Sequence, residues 1–414
     1  MPADTRAGQD TAEHAGNQPD RHGLLTELRT ERRHRSVARA AAARQRIEAW
    51  LADSRPGGHG GLVLTGPAAV AWACGGVAPP VDRTAGTDLV WAVFTERGAW
   101  LVTTNVEAPR ILAEYDPAGH GFAGLAEVPW YRPDDFAVAA AELAGLPAAD
   151  LASDGCHAFG ADASEDLIAL RLALSDAERD DLADLGADAA RALQASLAQW
   201  RPGERDLDIQ ARCAGFLEAT GADAPVLIVG GDDRLEQYRH PMAIGQPVQR
   251  LVMAVAVARR DGLHVALTRF ASAGPPEPGY AALRSRVLAV EDAVLEACTP
   301  GATYGSVLES LAGAYAANQA DGGWMSHYQG GPIGFAQREF EIAPGQHESR
   351  WYSERLAPGH AVAWNPSLPG GAKSEDTYIV TADGRLRMIT GAPGWPSEIS
   401  DSGKSHPAVL EVGR

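Results

Sequence analysis

Residues 324–339 read WMSHYQGGPIGFAQRE, and residues 359–380 read GHAVAWNPSLPGGAKSEDTYIV. The first stretch contains a glycine-rich bend, where backbone N–H groups become available and neighbouring side chains project inward. The second ends in an apolar strand that carries Lys373 and Glu375 on one face, because side chains two residues apart in a strand point the same way. These polar side chains are the first candidates for a functional site.

Residues 251–270, LVMAVAVARRDGLHVALTRF, supply a third part of the pattern. Two apolar runs flank the Asp-Gly dipeptide at 261–262, which favours the two-residue turn of a β-hairpin. Closing the hairpin there pairs Val255 with Thr268 and places Ala266 on the same face as both. From the residues alone, this apolar face is typical of core strands.

Together these stretches resemble the superfamily of creatinase, methionine aminopeptidase and Xaa-Pro peptidases, which has the pita-bread fold. The resemblance covers most of residues 175–391 and implies a curved antiparallel sheet flanked by helices. That superfamily carries a dinuclear metal on two Asp, one His and two Glu. The corresponding positions in this chain are Val255, Ala266, Gly331, Asn365 and Glu375, so that only Glu375 matches.

The changed ligand positions predict that the scaffold is kept and the metal is lost. A divalent cation that needs oxygen and nitrogen donors is not held by Val, Ala and Gly. We therefore expect a metal-free branch of the superfamily, with no cofactor. Charged side chains remain around the same positions, and burying an unpaired ion costs several kcal/mol. Their retention favours a working pocket over decay.

The order of elements predicts an α/β N-terminal domain followed by an α+β pita-bread domain. Residues 1–22 lack a hydrophobic period and are expected to be disordered. In residues 23–172 a long helix precedes short apolar strands that alternate with helical patterns, an arrangement similar to the creatinase-type N-terminal domain. Residues 173–414 form the expected catalytic domain, which opens with a long helix capped by Ser175.

Composition limits the partners that this chain can have. A net charge of −18 over 414 residues argues against nucleic acid and against anionic lipid, since both need a basic surface. No run approaches the ~20 apolar residues of a membrane span. The four cysteines are scattered without a CxxC pair, which indicates free thiols. We expect a cytoplasmic protein.

His240, in QYRHPM, is the first candidate for catalysis. It matches the histidine that the catalytic branches place above the substrate, and which the metal-free creatinase branch uses as acid and base. Imidazole suits proton transfer near neutral pH, although a lone histidine before proline is more often an ordinary loop residue. His327 is a second candidate for acid/base work. Glu339 and Glu375 complete the catalytic candidates and are expected to hold the nitrogenous end of a substrate.

Three arginines are candidates for a carboxylate clamp: Arg239, Arg269 and Arg338. The alternative is that Arg269 and Arg338 form ion pairs with Glu339 and Glu375. Lys373 either neutralises Glu375 in a salt bridge or acts on the substrate itself. The remaining candidates for substrate binding are Gln329, Asn365 and Asp376.

The favoured function is a metal-independent enzyme that acts by histidine acid/base chemistry on a small, nitrogenous, carboxylate-bearing substrate. Creatinase-like C–N hydrolysis is the nearest reaction, and elimination, isomerisation or cyclisation in a specialised pathway would use the same groups. The alternatives are a non-catalytic protein-binding module, as the superfamily supplies to histone chaperones, and an Xaa-Pro metallopeptidase with displaced ligands. The resemblance also implies a homodimer.

Overall fold

The computed structural model describes residues 21–54, 59–76, 81 and 86–413, and the side chains of 21–29 and 54 are outside that description. Of the segment 1–22 that was expected to be disordered, residues 1–20 therefore lie outside the described residues. Arg21 and His22 belong to the first helix, so the expectation is wrong for these two. None of the helices in the described ranges is long and apolar enough to cross a membrane.

The N-terminal region combines a six-stranded sheet with helices on both faces. The sheet order is β4-β3-β2-β1-β5-β6, with antiparallel pairing of β1 with β2 and of β2 with β3, and parallel pairing elsewhere. The elements in chain order are α1 (Arg21–Ser54), β1 (Gly61–Leu64), α2 (Pro67–Ala73), β2 (Val90–Thr95), β3 (Gly98–Thr104), α3 (Ala108–Arg110, continued by a π-helical turn over Ile111–Tyr115), β4 (Gly124–Val128), α4 (Asp135–Ala144), β5 (Leu151–Ser153, after a 3₁₀ turn over Ala148–Asp150), β6 (Ala161–Asp162) and α5 (Ser164–Leu172).

The C-terminal region contains two four-stranded sheets and the helices that flank them. Its elements are α6 (Asp176–Leu197), β7 (Glu204–Arg205), α7 (Asp206–Glu218), β8 (Asp223–Gly231), α8 (Asp233–Gln237), β9 (Pro247–Val248), β10 (Leu251–Arg260), β11 (Leu263–Ala273), α9 (Pro278–Ala297), α10 (Tyr304–Ala317, followed by a 3₁₀ turn over Gly323–Ser326), β12 (Gly330–Pro332), α11 (Arg350–Ser353), β13 (Ala361–Trp364), β14 (Ser367–Leu368), β15 (Ala372–Lys373), β16 (Asp376–Val380), β17 (Leu386–Met388), β18 (Ser397–Ile399), β19 (Ser405–Pro407) and β20 (Leu410–Val412).

The two sheets meet along β11 and β16, and the pocket lies where they join. One sheet has the order β20-β11-β10-β8 and the other β12-β13-β16-β17; apart from the parallel pair β11–β20 their pairings are antiparallel. Thr268 N donates to the carbonyl of Glu375 at 2.9 Å, which connects the first sheet to the second. The predicted antiparallel sheet flanked by helices is confirmed.

The hairpin of β10 and β11 has the predicted register. Val255 pairs with Thr268, and Val257 pairs with Ala266. The turn residues at 261 and 262 have φ values of 51° and 81°, which a right-twisted two-residue hairpin turn requires. The Asp-Gly dipeptide therefore determines which side chains face the pocket.

Helix α6 begins with the predicted cap. Ser175 Oγ accepts a hydrogen bond from Glu178 N at 3.4 Å, while the Glu178 carboxylate accepts one from Ser175 N at 2.6 Å. This reciprocal capping box satisfies two backbone donors that the first turn would leave unpaired. It fixes the start of the helix that packs against β10 and β11.

The two regions share one core, and the tip of the hairpin contacts the N-terminal region. Buried side chains of α1 and β1 cluster with those of α6 and β10. Arg39 of α1 is 1% exposed and donates to the carbonyl of Asp261 at 2.8 Å. A Cβ at Gly262 would lie only 2.4 Å from the Cβ of Ala71, so the turn packs closely on α2. A domain boundary at residue 172 remains a proposal.

Candidate active site

A pocket of about 90 Å³ lies between the two sheets of the C-terminal region. All five positions that correspond to the superfamily's metal ligands line it: Val255, Ala266, Gly331, Asn365 and Glu375. Three further candidates also line it: His240, Arg338 and Lys373. The hairpin register explains the position of Val255 and Ala266, since both project from the same face of β10 and β11.

Lys373 and Glu375 form a buried ion pair in the pocket wall. Lys373 Nζ lies 2.9 Å from Glu375 Oε2, and the two side chains are 8% and 6% exposed. The hydroxyl of Thr268 donates to the same carboxylate oxygen at 2.7 Å. The predicted salt bridge is present, and it holds the carboxylate against β11.

His240 lies in the exposed segment that follows α8 and borders the pocket. Partial burial of the ring lowers its pKa, and the nearby positive charge of Lys373 lowers it further, while Glu375 acts in the opposite direction. The ring is therefore neutral near pH 7 and can accept a proton. Its predicted acid/base role stays a prediction.

His327 lies in the wall behind the pocket and is also neutral. Burial lowers its pKa to about 4. Its Nδ1 lies 2.6 Å from the carbonyl of Tyr328, which only accepts hydrogen bonds, so we place the proton on that nitrogen. Its Nε2 then accepts the hydroxyl hydrogen of Ser367, whose Oγ lies 2.7 Å away.

Two of the three candidate clamp arginines already pair with acids. Arg269 is 2% exposed, donates to Asp376 Oδ1 at 2.8 Å, and does not line the pocket. Arg338 lines the pocket, but its guanidinium donates to Glu341 at 2.5 Å and stacks 4.1 Å from the centre of the Tyr328 ring. The buried pair with Asp376 leaves Arg269 no free carboxylate-binding face, whereas the pair of Arg338 with Glu341 is exposed and weak, so the substrate-binding role of Arg338 stays a prediction.

Arg239, the third candidate, does not itself line the pocket but follows directly before His240, which does. Its guanidinium has no acidic partner in the described part of the chain. It is partly buried and donates to Ser367 Oγ at 2.5 Å. Burial lowers its pKa, as expected for a cation that has lost water without gaining a carboxylate. This is the electrostatic environment that an anionic ligand would stabilise.

Glu339 lies outside the pocket, where Arg171 of α5 pairs with it. Its carboxylate accepts from Arg171 Nε at 2.7 Å and from the backbone N–H of Phe335 at 2.7 Å and of Ala336 at 3.2 Å. The expected pairing of Glu339 with Arg269 or Arg338 is therefore wrong, because the acid folds back on its own turn. We do not retain it among the catalytic candidates.

Gln329 and Asp376 are also outside the residues that line the pocket. Gln329 is 4% exposed, and its side chain bonds to the hydroxyl of Tyr315 and the carbonyl of Trp324, both at 2.9 Å. Asp376 follows Glu375 in an extended segment and so faces the other way, toward Arg269. Burial raises the pKa of Asp376, and Arg269 opposes that shift. Both support the wall of the pocket.

The donors in this pocket do not fit the superfamily's metal. Glu375 is the carboxylate that remains, and the ammonium of Lys373 neutralises it. Gly331 has a φ of 142°, a conformation that L side chains rarely adopt, so a histidine there would be strained. Among the residues that the structure describes, no group of three or more His, Cys, Asp or Glu side chains could hold a metal ion.

Asn365 keeps a polar group where the superfamily has a ligand carboxylate. With its side-chain nitrogen turned toward the backbone, it donates to the carbonyls of Tyr328 at 2.9 Å and Gln329 at 3.1 Å. Asn365 also lines the pocket. A neutral amide thus replaces a charged ligand.

Ser367 was not among the residues predicted from the sequence, and it connects Arg239 to His327. It is 6% exposed and lies on β14, directly opposite Lys373 of β15. The signal was available in the segment SLPGGAK, where Pro-Gly-Gly marks a turn between two short strands. Pairing the strands across that turn would have placed Ser367 beside Lys373.

Comparison with known proteins supports the fold. Residues 182–382 match the sequence family described as Metallopeptidase family M24. The dipeptidase PepE from Mycobacterium ulcerans is 21% identical with a TM-score of 0.68 over 90% of this chain and 98% of that one. The Xaa-Pro dipeptidase from Bacillus anthracis is 18% identical with a TM-score of 0.67 over 90% and 100%.

A solved structure that is not named as a peptidase shares the fold as well. The N-terminal domain of the FACT complex subunit SPT16 from chickpea, Cicer arietinum, is 11% identical with a TM-score of 0.61 over 86% of this chain and 96% of that one. No curated protein sequence matches the chain. The family match over residues 182–382 and the likeness to these structures together show the pita-bread fold.

Proposed function

We propose that this chain is a metal-independent enzyme that uses histidine acid/base chemistry on a small, nitrogenous substrate bearing a carboxylate. The observation that carries the proposal is Arg239, a partly buried guanidinium without an acidic partner in the described chain, beside neutral His327. A substrate carboxylate would pair with that guanidinium in bidentate geometry and receive a hydrogen bond stronger than one between neutral groups.

In the proposed reaction, His240 moves the proton. For C–N hydrolysis, a water molecule attacks the carbon while His240 takes one of its protons; the C–N bond then breaks and the same proton passes to the leaving nitrogen. Neutral imidazole begins the step in the required state. Elimination, isomerisation or cyclisation would use the same transfer, with a carbon-bound proton in place of the proton of water.

The similar dipeptidases support hydrolysis of a C–N bond as the reaction class. They also favour a second candidate, a metal-dependent Xaa-Pro peptidase, since the matching family is named for metallopeptidases. The donors around the pocket argue against this candidate, as Val255, Ala266 and Gly331 provide no side-chain ligand. The other alternative, a non-catalytic protein-binding module, is supported by the shared fold of the chickpea SPT16 domain, which is named as part of a subunit of a complex.

Elemental analysis of the purified protein tests the metal directly. We expect less than stoichiometric Mn, Co and Zn, and no change in melting temperature with EDTA. One or two tightly bound ions per chain would refute metal independence and support the metallopeptidase.

Calorimetry with two matched probes tests the substrate class. N-acetylglycine carries a carboxylate and an amide, and N-acetylglycinamide replaces that carboxylate with a neutral group. We expect the first to bind wild type more tightly than the second, and Arg239→Met to abolish the difference while Arg269 and Arg338 keep their acid partners. Equal binding of both probes would refute the clamp. When a substrate is found, His240→Ala should lower turnover by about a hundredfold.

We also propose that the protein is a cytoplasmic homodimer that binds neither nucleic acid nor membranes. The support is the resemblance to creatinase-like proteins, which pack the N-terminal domain of one chain near the site of another, together with the acidic composition. Light scattering at micromolar concentration should give twice the chain mass of 43.5 kDa. A single-chain mass would contradict the dimer.

A further inference from the structure

We propose that the ammonium of Lys373 occupies the cation position of this fold and binds the reacting oxygen of the substrate. The inference rests on the proposed function, because it assumes a substrate in the pocket between the two sheets. It assigns to one lysine the electrostatic role that a metal would supply.

Lys373 lies among the five positions that the resemblance assigns to metal ligands. The five residues at the superfamily's ligand positions surround one pocket of about 90 Å³, and Lys373 lines the same pocket. Its Nζ contacts Glu375, the one ligand position that still carries an acid, at 2.9 Å. The lysine charge therefore lies against the carboxylate that would otherwise contact a metal.

The Lys373 ammonium can donate more hydrogen bonds than its contact with Glu375 uses. Lys373 is 7% exposed, so water contributes little to its solvation. An ammonium has three N–H donors, and within the described chain Glu375 is the acceptor group in reach of this one. A buried polar hydrogen without an acceptor is unfavourable. An oxygen of a ligand in the pocket would satisfy a second donor.

A purely structural salt bridge explains the pair less well. The pocket side of the hairpin carries Val255, Val257 and Ala266 beside Thr268, whose hydroxyl bonds to Glu375, so much of this wall is apolar. Buried ion pairs are often less stabilising than well-packed apolar side chains of similar volume. A charged pair at this place is therefore better explained by what it binds than by stability.

Lys373 also lies beside the group proposed to hold the carboxylate. Ser367, which bonds to Arg239, pairs directly with Lys373 across β14 and β15. Directly opposite residues of an antiparallel pair have Cβ atoms ~5 Å apart on one face. The charges of Arg239 and Lys373 both act on His240 and on His327, so the two cations lie around the same histidines and a small molecule held by Arg239 would lie near the Lys373 ammonium.

This arrangement lets Lys373 act as an electrophile without giving up its proton. As water attacks a carbonyl carbon, negative charge develops on the carbonyl oxygen, and a fixed N–H donor stabilises it. The ammonium donates a hydrogen bond throughout, while the proton that moves is carried by His240. The low exposure of the site strengthens this interaction compared with water.

Lysine-selective NMR provides the experiment, because Lys373 and Lys404 are the chain's two lysines. Protein labelled with ¹³C and ¹⁵N lysine is titrated with N-acetylglycine. We expect the side-chain signals of Lys373 to shift and those of Lys404, which pairs with Glu296 at 3.0 Å on the surface, to stay. Lys373→Met/Glu375→Gln removes both charges at similar volume and should weaken binding at least about tenfold. Lys404→Met is the control and should bind as wild type does.

Each outcome decides a different point. If N-acetylglycine binds through Arg239 but neither the Lys373 signals nor the affinity of Lys373→Met/Glu375→Gln changes, the inference is wrong and the proposed function survives. If Arg239→Met has no effect on binding, or nothing binds, the proposed function fails and the inference fails with it. If the double variant does not fold, the NMR titration of the natural chain still decides the question.

Discussion

The buried pair between Arg171 and Glu339 provides a test that needs no substrate. Replacing Arg171 with Met keeps most of the side-chain volume and removes the partner of a carboxylate whose side chain is 1% exposed. We expect a large loss of stability, because the variant leaves an uncompensated charge in the protein interior. The stability of the same variant tests whether Glu339 is a structural residue of the glycine-rich turn.

The structure limits the size of this effect. Breaking a buried pair by removing one partner costs ~3–5 kcal/mol. The Glu339 carboxylate keeps two backbone donors, Phe335 N at 2.7 Å and Ala336 N at 3.2 Å, so we expect ~3 kcal/mol. With an unfolding entropy of ~2.1 cal/mol/K for each of 414 residues, that loss lowers the melting temperature by ~3–4 °C.

Urea unfolding of four proteins measures it: wild type, Arg171→Met, Glu339→Gln and the double variant. The double variant should recover at least ~1 kcal/mol relative to the sum of the two single changes, since it leaves no buried charge. Arg350→Met is the matched control, because its pairs with Glu165 and Asp166 are exposed and worth ~0–1 kcal/mol. If Arg171→Met unfolds like the Arg350 control, our description of Glu339 as a structural residue is refuted.

Three further predictions concern stability. Burial lowers the pKa of His264, His327 and His360 to about 4, below the ordinary 6.5. Between these two values the unfolded chain binds more protons than the folded one, so the free energy of unfolding should decrease as the pH falls from 6.5 to 4. A urea midpoint that stays constant over this range would contradict the prediction. Burial alone would lower the pKa of His406, but hydrogen bonds and charges from Glu291 and Asp292 outweigh burial and raise that pKa overall. The stability that His406 contributes is therefore fully present below pH 6.5 and is lost as the pH rises through the raised pKa. His406→Gln should remove that alkaline loss, measured as the difference in midpoint between pH 6 and 9. Ser175→Ala should cost ~1 kcal/mol by removing the cap of α6, and an unchanged melting curve would show that the capping box contributes nothing.

Local rules predicted the elements that shape the pocket. The Asp-Gly turn fixed the register that places Val255 opposite Thr268, and the period of two placed Lys373 and Glu375 together. Both rest on backbone geometry that a few neighbouring residues determine.

Partner choice among charged residues could not be predicted in the same way. Glu339 pairs with Arg171, which lies 168 residues earlier in the chain, and no local pattern encodes that contact. The orientation of Asp376 was predictable, however, because a residue next to Glu375 in an extended segment must face the opposite side. Asp376 pairs with Arg269 and does not face the pocket, in contrast to its predicted contact with a substrate.

The contact between the hairpin tip and α2 makes the pocket adjustable from a distance. From Val255 to Asp261 the strand rises ~20 Å, at ~3.3 Å per residue. The hairpin of β10 and β11 therefore extends from the pocket wall to the N-terminal region, where its tip packs on α2. Gly262 and Ala71 leave no room for a larger side chain between them. A bulkier residue at position 71 would displace the tip of the β10–β11 hairpin and so shift the pocket wall, although position 71 contacts no residue that lines the pocket. Random substitutions that change activity should therefore be sought in α2 as well as around the pocket.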